Sequence, residues 1–444
     1  MAVADGTVEK FNNDELVVAL ADQNLVLKTI GELGAVVRYT DPHDRLGLVL
    51  VQLTQIGQAV GKLQLDKNLA ADLAAYESTR CTDIGGADVS LLDLLLKGLR
   101  LYFADRFGWQ PAIGKNRAIS RLGGSPHVGG GGVGPPKLDG AGPLRERNPH
   151  VGGGGVGPPK LYGAGPLPER EPVHLRRPGP RVALLDGYLY PHEWLAGGYI
   201  AHPGDLLASS NPYRSTQGHA TSVASRILDQ APDAEIHLRR VLDENALGGT
   251  WRVARAMAEI ADQGFDVVNL SFGECFTDDG VPPLVLETAV RLLAARSVVV
   301  AAAGNHGNVG SLPSDTVPPG LEAHTPAYPA ACHQVVAVGA DKDFGEVADF
   351  TPKPAPWIRL YAPGEDCPVA FLDGDVLIPG INGSVAGQPC MHFKGWALCS
   401  GTSYAAANVT GRIAAGIDTN HTARQALHGL IAHGTGRPYG IRPA

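Results

Sequence analysis

No run of apolar residues in this 444-residue chain approaches the ~20 that a helix needs to cross a bilayer. A membrane span is therefore not expected. Met1 to Asn13 mix acids with a lysine and hold no apolar centre, so they do not read as a secretory leader. Neither charge dominates: 37 Lys and Arg against 45 Asp and Glu give a net charge of -8. That balance lacks the basic footprint of a nucleic-acid binder. Cysteine is thin too, and Cys81, Cys275, Cys332, Cys367, Cys390 and Cys399 match no zinc-ligand spacing. With no leader, free thiols in a reducing cytoplasm are expected. The competing reading is a Cys367–Cys390 or Cys390–Cys399 bridge, which would favour export. Aromatics are scarce at 6%, yet 44% of residues are hydrophobic, enough for a substantial core. The length allows two domains, or one large one with an appendage.

What is present divides the chain in three. Residues 1–118 alternate strand and helix patterns. Glu15 to Leu20 reads as a strand, and Asp22 to Leu33 as a helix stopped by Gly34. Ala35 to Tyr39 and Leu46 to Leu53 read as paired strands around the turn Asp41-Pro42-His43-Asp44. Ser90 to Phe107 has the leucine spacing of an amphipathic helix, with an aspartate three residues after a capping serine. Residues 119–172 hold a duplication: Pro126 to Arg147 recurs as Pro149 to Arg170, changed only at Asp139/Tyr162 and Arg145/Pro168. Two Gly- and Pro-rich copies cannot supply a core, so they read as a flexible linker. The sharper alternative is a peptide that docks on a partner or on this protein's own cleft. Residues 173–435 alternate short buried strands, such as Val267 to Leu270 and Val298 to Ala303, with helices, such as His219 to Leu228 and Trp251 to Gln263. This predicts an α/β fold: a parallel sheet with helices on both faces and active groups at the carboxyl ends of strands. Residues 436–444 are a short tail.

Four segments of the third part carry chemistry. Val182-Ala183-Leu184-Leu185-Asp186 is an apolar strand ending in an acid. Gly218-His219-Ala220-Thr221 places a histidine where a helix opens. Ala303-Gly304-Asn305 follows a buried strand, and Gly401-Thr402-Ser403-Tyr404-Ala405-Ala406-Ala407 presents a serine at the start of a helix. Alone, each residue reads as a cap or a turn residue. In this order they are the parts of a nucleophilic site: Ser403 to attack a carbonyl, His219 to take its proton, Asp186 to orient the imidazole, Asn305 to receive the oxyanion. With Ala231-Pro232-Asp233-Ala234-Glu235 and Val267-Val268-Asn269-Leu270-Ser271-Phe272-Gly273, these segments resemble the subtilisin-like serine proteases, the subtilases, from about Pro180 to Gly416. The chain departs from that pattern at Gly187 and Tyr188 after the aspartate, at Ala220 after the histidine, and at Tyr404 and Ala407 around the serine.

The resemblance implies a serine endopeptidase acting on peptide or protein substrates. It implies that Leu270, Ser271, Phe272 and Gly273, with Ala302, Ala303 and Gly304, wall the pocket for the residue before the cleaved bond. Those walls carry no charge, which favours a hydrophobic side chain there. The same stretches also read as plain core strands. Glu365 to Leu398 lengthens the path to Ser403 and predicts a surface hairpin near the cleft. Subtilases often bind calcium, but Asp278-Asp279 and Asp341/Asp343 read as solvated loop charge, so no metal or other cofactor is assigned. The opening strand–helix–strand–strand order resembles the small α/β propeptides of subtilases; an unrelated regulatory or adaptor domain, with a partner of its own, is the competing reading. The rival to an enzyme is a non-catalytic subtilase-like binding module, with Gly187 and Tyr188 as marks of decay.

Overall fold

The structure, a computed structural model, describes residues 11–83, 89–121, 159–162, 179–273, 275, 282–311, 321–343, 345–378, 384–385, 388–435 and 440–444. Most of the duplicated segment lies outside these residues, as do Asp278 and Asp279.

The first unit runs β1 (Phe11–Ala19), α1 (Gln23–Leu33), β2 (Val36–His43), β3 (Leu48–Thr54), α2 (Ile56–Leu65), α3 (Ala70–Asp83), α4 (Leu91–Phe107) and β4 (Ile113–Arg121). Its sheet has the order β4-β1-β3-β2, all antiparallel. Helix α1 ends at Gly34, whose φ of 96° suits glycine. Ser90 caps α4 by accepting from the Asp93 N–H. The β2–β3 turn falls later than the sequence suggested. Asp41, Pro42 and His43 pair with β3, and the chain reverses between Asp44 and Gly47. Strand β2 is at a sheet edge, where Pro42 costs no ladder bond. Side chains alternate across the sheet. Leu16, Val18, Val49 and Val51 face the unit's own helices. Val17, Leu48 and Leu50 face the other way, into the next unit.

After β5 (Lys160–Leu161), the second unit opens with β6 (Arg181–Asp186), β7 (Tyr199–Ile200) and β8 (Tyr213–Arg214). It continues through α5 (His219–Gln230), β9 (Glu235–Arg240), β10 (Leu247–Gly249), α6 (Thr250–Ile260), β11 (Val267–Leu270), β12 (Phe272–Gly273), α7 (Leu284–Ala294) and β13 (Val298–Ala302). Then follow β14 (Val336–Asp343), β15 (Glu346–Val347), β16 (Ile358–Pro363), β17 (Cys367–Leu377), β18 (Ser384–Val385), β19 (Gln388–Cys399), α8 (Thr402–Ala415), α9 (Ala423–His433) and β20 (Arg442–Pro443). The main sheet has the order β20-β16-β14-β13-β11-β6-β9-β7, parallel from β16 to β7. Its strands are buried on both faces: Val182 and Leu184 pack toward α5 and α8, Ala183 and Leu185 toward α6 and α7. The predicted two-faced parallel sheet is what forms.

Strand β4 belongs to both units. Beyond β1 it pairs with β10 through Ala118, Ile119 and Ser120, and with β12 through Ser120 and Arg121. It therefore runs past residue 118, where the sequence suggested a boundary. The outer face of the first sheet lies on α6 and α7, and Asn116 does the work of a missing cap. Gly249, which precedes α6, has no capping side chain, and the Asn116 Oδ1 accepts from the Trp251 N–H at 2.9 Å. Trp251 Nε1 in turn donates to Asp41 at 2.9 Å, and Arg255 pairs with the same carboxylate at 2.8 Å.

Candidate active site

Asp186 is the last residue of β6, and His219 the first of α5. Both are buried, and the His219 Nδ1 lies 3.0 and 2.9 Å from the two Asp186 oxygens. A carboxylate only accepts, so Nδ1 carries the proton and Nε2 is left as the basic nitrogen. The Gly187 N–H donates to Asp186 Oδ1 at 2.6 Å. The departure at Gly187 thus keeps a donor on the acid. Tyr188 turns aside, with the Arg240 guanidinium 4.4 Å over its ring.

Ser403 is the second residue of α8, where backbone N–H groups have no intrahelical partner. The helix starts from Gly401, whose φ of 152° disfavours a side chain. Tyr404 follows, its ring centroid 6.1 Å from that of His219, so α8 and α5 bring Ser403 and His219 into one neighbourhood. The Ser403 hydroxyl donates to the Ser271 carbonyl at 3.4 Å, and among the described residues no hydrogen bond joins it to His219. Asn305 Oδ1 accepts from the Thr402 N–H at 2.8 Å. That fixes the amide flip and makes Nδ2 its donor end.

The predicted walls divide. Leu270 and Phe272 are fully buried in the core on the α6–α7 side, and Ala302 in the core on the α5–α8 side. What Phe272 and Gly273 present is their backbone edge, and β4 lies along it. Ser271 is buried and fixed by donating to Asn269 Oδ1 at 2.8 Å, which places its carbonyl against Ser403. Ala303 and Gly304 close the end of β13, and the Gly304 N–H donates to Thr402 Oγ1. The residue that sequence reasoning missed is His306. It is buried beside Asn305, with Nε2 2.8 Å from the Thr325 carbonyl and Nδ1 3.6 Å from Cys275 Sγ.

Comparison with known proteins decides the family. The model of the subtilase family, peptidase S8, matches residues 178–429, more than half of the chain. The chain belongs to the subtilases. Among curated relatives, this subtilase is 32% identical over 200 residues to the thermophilic serine proteinase of Bacillus sp. (strain AK1), covering 42% of this chain and 44% of that one. It is 30% identical over 236 residues to thermitase of Thermoactinomyces vulgaris, covering 47% of this chain and 76% of that one. The chain spans less than half the length of the first of these relatives. Among solved structures, fervidolysin from Fervidobacterium pennivorans, a keratinolytic enzyme related to subtilisin, aligns with a TM-score of 0.50 at 17% identity. The alignment covers 93% of this chain and 55% of that chain, and shows a shared fold.

Two expectations are corrected. The stretch 365–398 is not a surface hairpin alone. Val369, Phe371, Leu372, Val376 and Phe393 of β17 and β19 are buried, and Phe371 presses on the start of α5, where a Cβ at Gly218 would lie 2.3 Å from its ring. Asp341 is not solvated loop charge. It is a buried residue of β14, held by Arg442 at 2.8 and 2.9 Å; burial pushes its carboxyl up, and the guanidinium opposes the shift. It is thereby committed to a guanidinium. Among the described residues no group of three or more His, Cys, Asp or Glu gathers that could hold a metal ion. Among the described residues Cys275, Cys332, Cys367, Cys390 and Cys399 are in no disulfide, and burial pushes Cys332 up to about 12. Cys332 is an inert core residue.

Proposed function

We propose that this subtilase is a serine endopeptidase, working inside the cell, and that residues 1–121 hold it inactive by laying β4 along its substrate edge. The single observation that carries the catalytic part is the His219 Nδ1 bridged to both Asp186 oxygens, beside Ser403 at the opening of α8. Ser403 attacks the peptide carbonyl as His219 Nε2 takes its proton. The imidazolium is stabilised by Asp186 and returns the proton to the leaving amine. The Asn305 Nδ2 and the Ser403 N–H donate to the oxyanion. Water then releases the acyl group by the same route.

The regulatory part rests on register. An extended peptide bound for cleavage adds a strand to an exposed edge. Here Ser120 and Arg121 occupy the edge at Gly273 and Phe272, and the next residue of that edge, Ser271, touches Ser403. The register of β4 on this edge ends at Arg121, one position short of Ser271, and on that ground we assign Leu122–Gly123 as the bond cleaved in maturation. Leu122 agrees with the sequence-based expectation of a hydrophobic side chain before the cleaved bond. Treatment with a fluorophosphonate probe after incubation tests the enzyme reading. The wild-type chain should take one label, at Ser403, and a folded Ser403→Ala chain none. A folded wild-type chain that stays unlabelled after its first 122 residues are removed would make it a binding module.

A further inference from the structure

Lys160, Leu161 and Tyr162 of the second repeat copy are seated on the protein, and the last of the three distinguishes it from the first copy. Lys160 and Leu161 form β5, antiparallel to β19, with Leu161 opposite Ala397 and Lys160 opposite Leu398. On one side Lys160 Nζ reaches both Asp366 oxygens at 2.7 and 2.8 Å. Asp366 is a prepared partner: its backbone is left-handed at φ 48°, and its N–H donates to Ser400 Oγ at 2.9 Å. On the other side the Tyr162 ring lies 6.2 Å from Trp396. Trp396 is backed by His192 at 5.5 Å and Trp194 at 5.9 Å. The first copy repeats Lys137-Leu138 but has Asp139 where the second has Tyr162. A carboxylate there would give up the ring contact and bring charge to a largely buried indole.

We propose that the outer edge of β19 is a peptide-binding site for extended segments with a lysine and, two residues on, an aromatic. The second copy is its ligand within the chain, and the first is excluded by Asp139. Backbone pairing supplies the strand, Asp366 reads the lysine and the indole of Trp396 reads the aromatic. The proposal does not depend on the proposed catalysis. Ser400 ties the site to the chain three residues before Ser403.

The test uses the full chain carrying Ser403→Ala, so that no peptide is cut. A second chain adds Tyr162→Asp to vacate the site. Two labelled peptides are titrated: VGPPKLYGAG, residues 156–165, and VGPPKLDGAG, residues 133–142. The tyrosine peptide should bind the vacated chain saturably, at least tenfold more tightly than the aspartate peptide. It should bind the chain with Tyr162 intact more weakly. Adding Trp396→Ala or Asp366→Lys to the vacated chain should each weaken it by about tenfold or more. Hydrogen exchange across Ala397 and Leu398, which needs no peptide, should quicken on Tyr162→Asp. Equal binding of the two peptides, or binding unmoved by both site variants, would overturn the proposal. So would no binding to the vacated chain together with unchanged exchange.

Discussion

His306 shows how much one buried side chain sets. The Thr325 carbonyl can only accept, so Nε2 carries the ring proton and Nδ1 accepts from the Cys275 thiol. Burial holds His306 below the usual histidine range, with the Thr325 contact opposing. A group whose folded pKa is depressed stabilises the fold above its unfolded value and loses that contribution as pH falls. With an unfolded value of about 6.5, the Tm of the Ser403→Ala chain should drop as pH is lowered from 7.5 to 5.5. His306→Gln should flatten that slope. A slope of equal steepness in the variant would assign the acid loss elsewhere. The neighbouring Asn305 predicts a kinetic effect. Asn305→Ala should lower kcat by ~10²–10³-fold with little change in KM. If Asn305 only braces α8 through Thr402, the variant should instead melt earlier and keep kcat per folded molecule.

At the scale of elements, the second unit was the more legible part. Its buried strands are near-continuous apolar runs and its helices have periodic apolar faces, both visible locally. Asp186, His219, Asn305 and Ser403, the reacting groups proposed above, sit at or just beyond the ends of such elements, so reading the elements brings out the candidates. Strand β4 escaped because Ile113–Arg121 reads IGKNRAISR, with three basic residues in nine. Lys115 is buried there only because Asp93 of α4 is its ion-pair partner. Asn116 faces α6, 134 positions away, and nothing in the local sequence reveals either fact. Tertiary partners make β4 a strand. Its role as a cap is measurable. Asn116→Ala should weaken inhibition by residues 1–121 added in trans to the mature enzyme by about fivefold, the effect of losing ~1 kcal/mol of capping. An unchanged inhibition constant would remove Asn116 from the interface energetics.

For the whole molecule, the assigned register predicts a single maturation cut. Incubated wild-type chain should yield a new N-terminus at Gly123, and Ser403→Ala should stay intact. Leu122→Asp should slow the cut by tenfold or more, since a carboxylate would replace the hydrophobic side chain expected before the cleaved bond. A first cut elsewhere in the chain would refute the register. After the cut the two pieces should co-elute, because the sheet-to-helix contact through Val17, Leu46, Leu48 and Leu50 does not depend on the severed bond.

That same face makes departure a one-way event. Val17, Leu48 and Leu50 are at home only against α6 and α7. Lifted off, the first unit exposes a row of aliphatic side chains to water and loses the second roof over its sheet. The departing piece is then a poor freestanding fold, open to local unfolding and, on the proposed function, to digestion by the unit it covered. Each molecule destroyed shifts the balance further toward release. A population of such zymogens would therefore stay silent for a lag and then convert in a rush, with the length of the lag set by how firmly one sheet face sits on two helices.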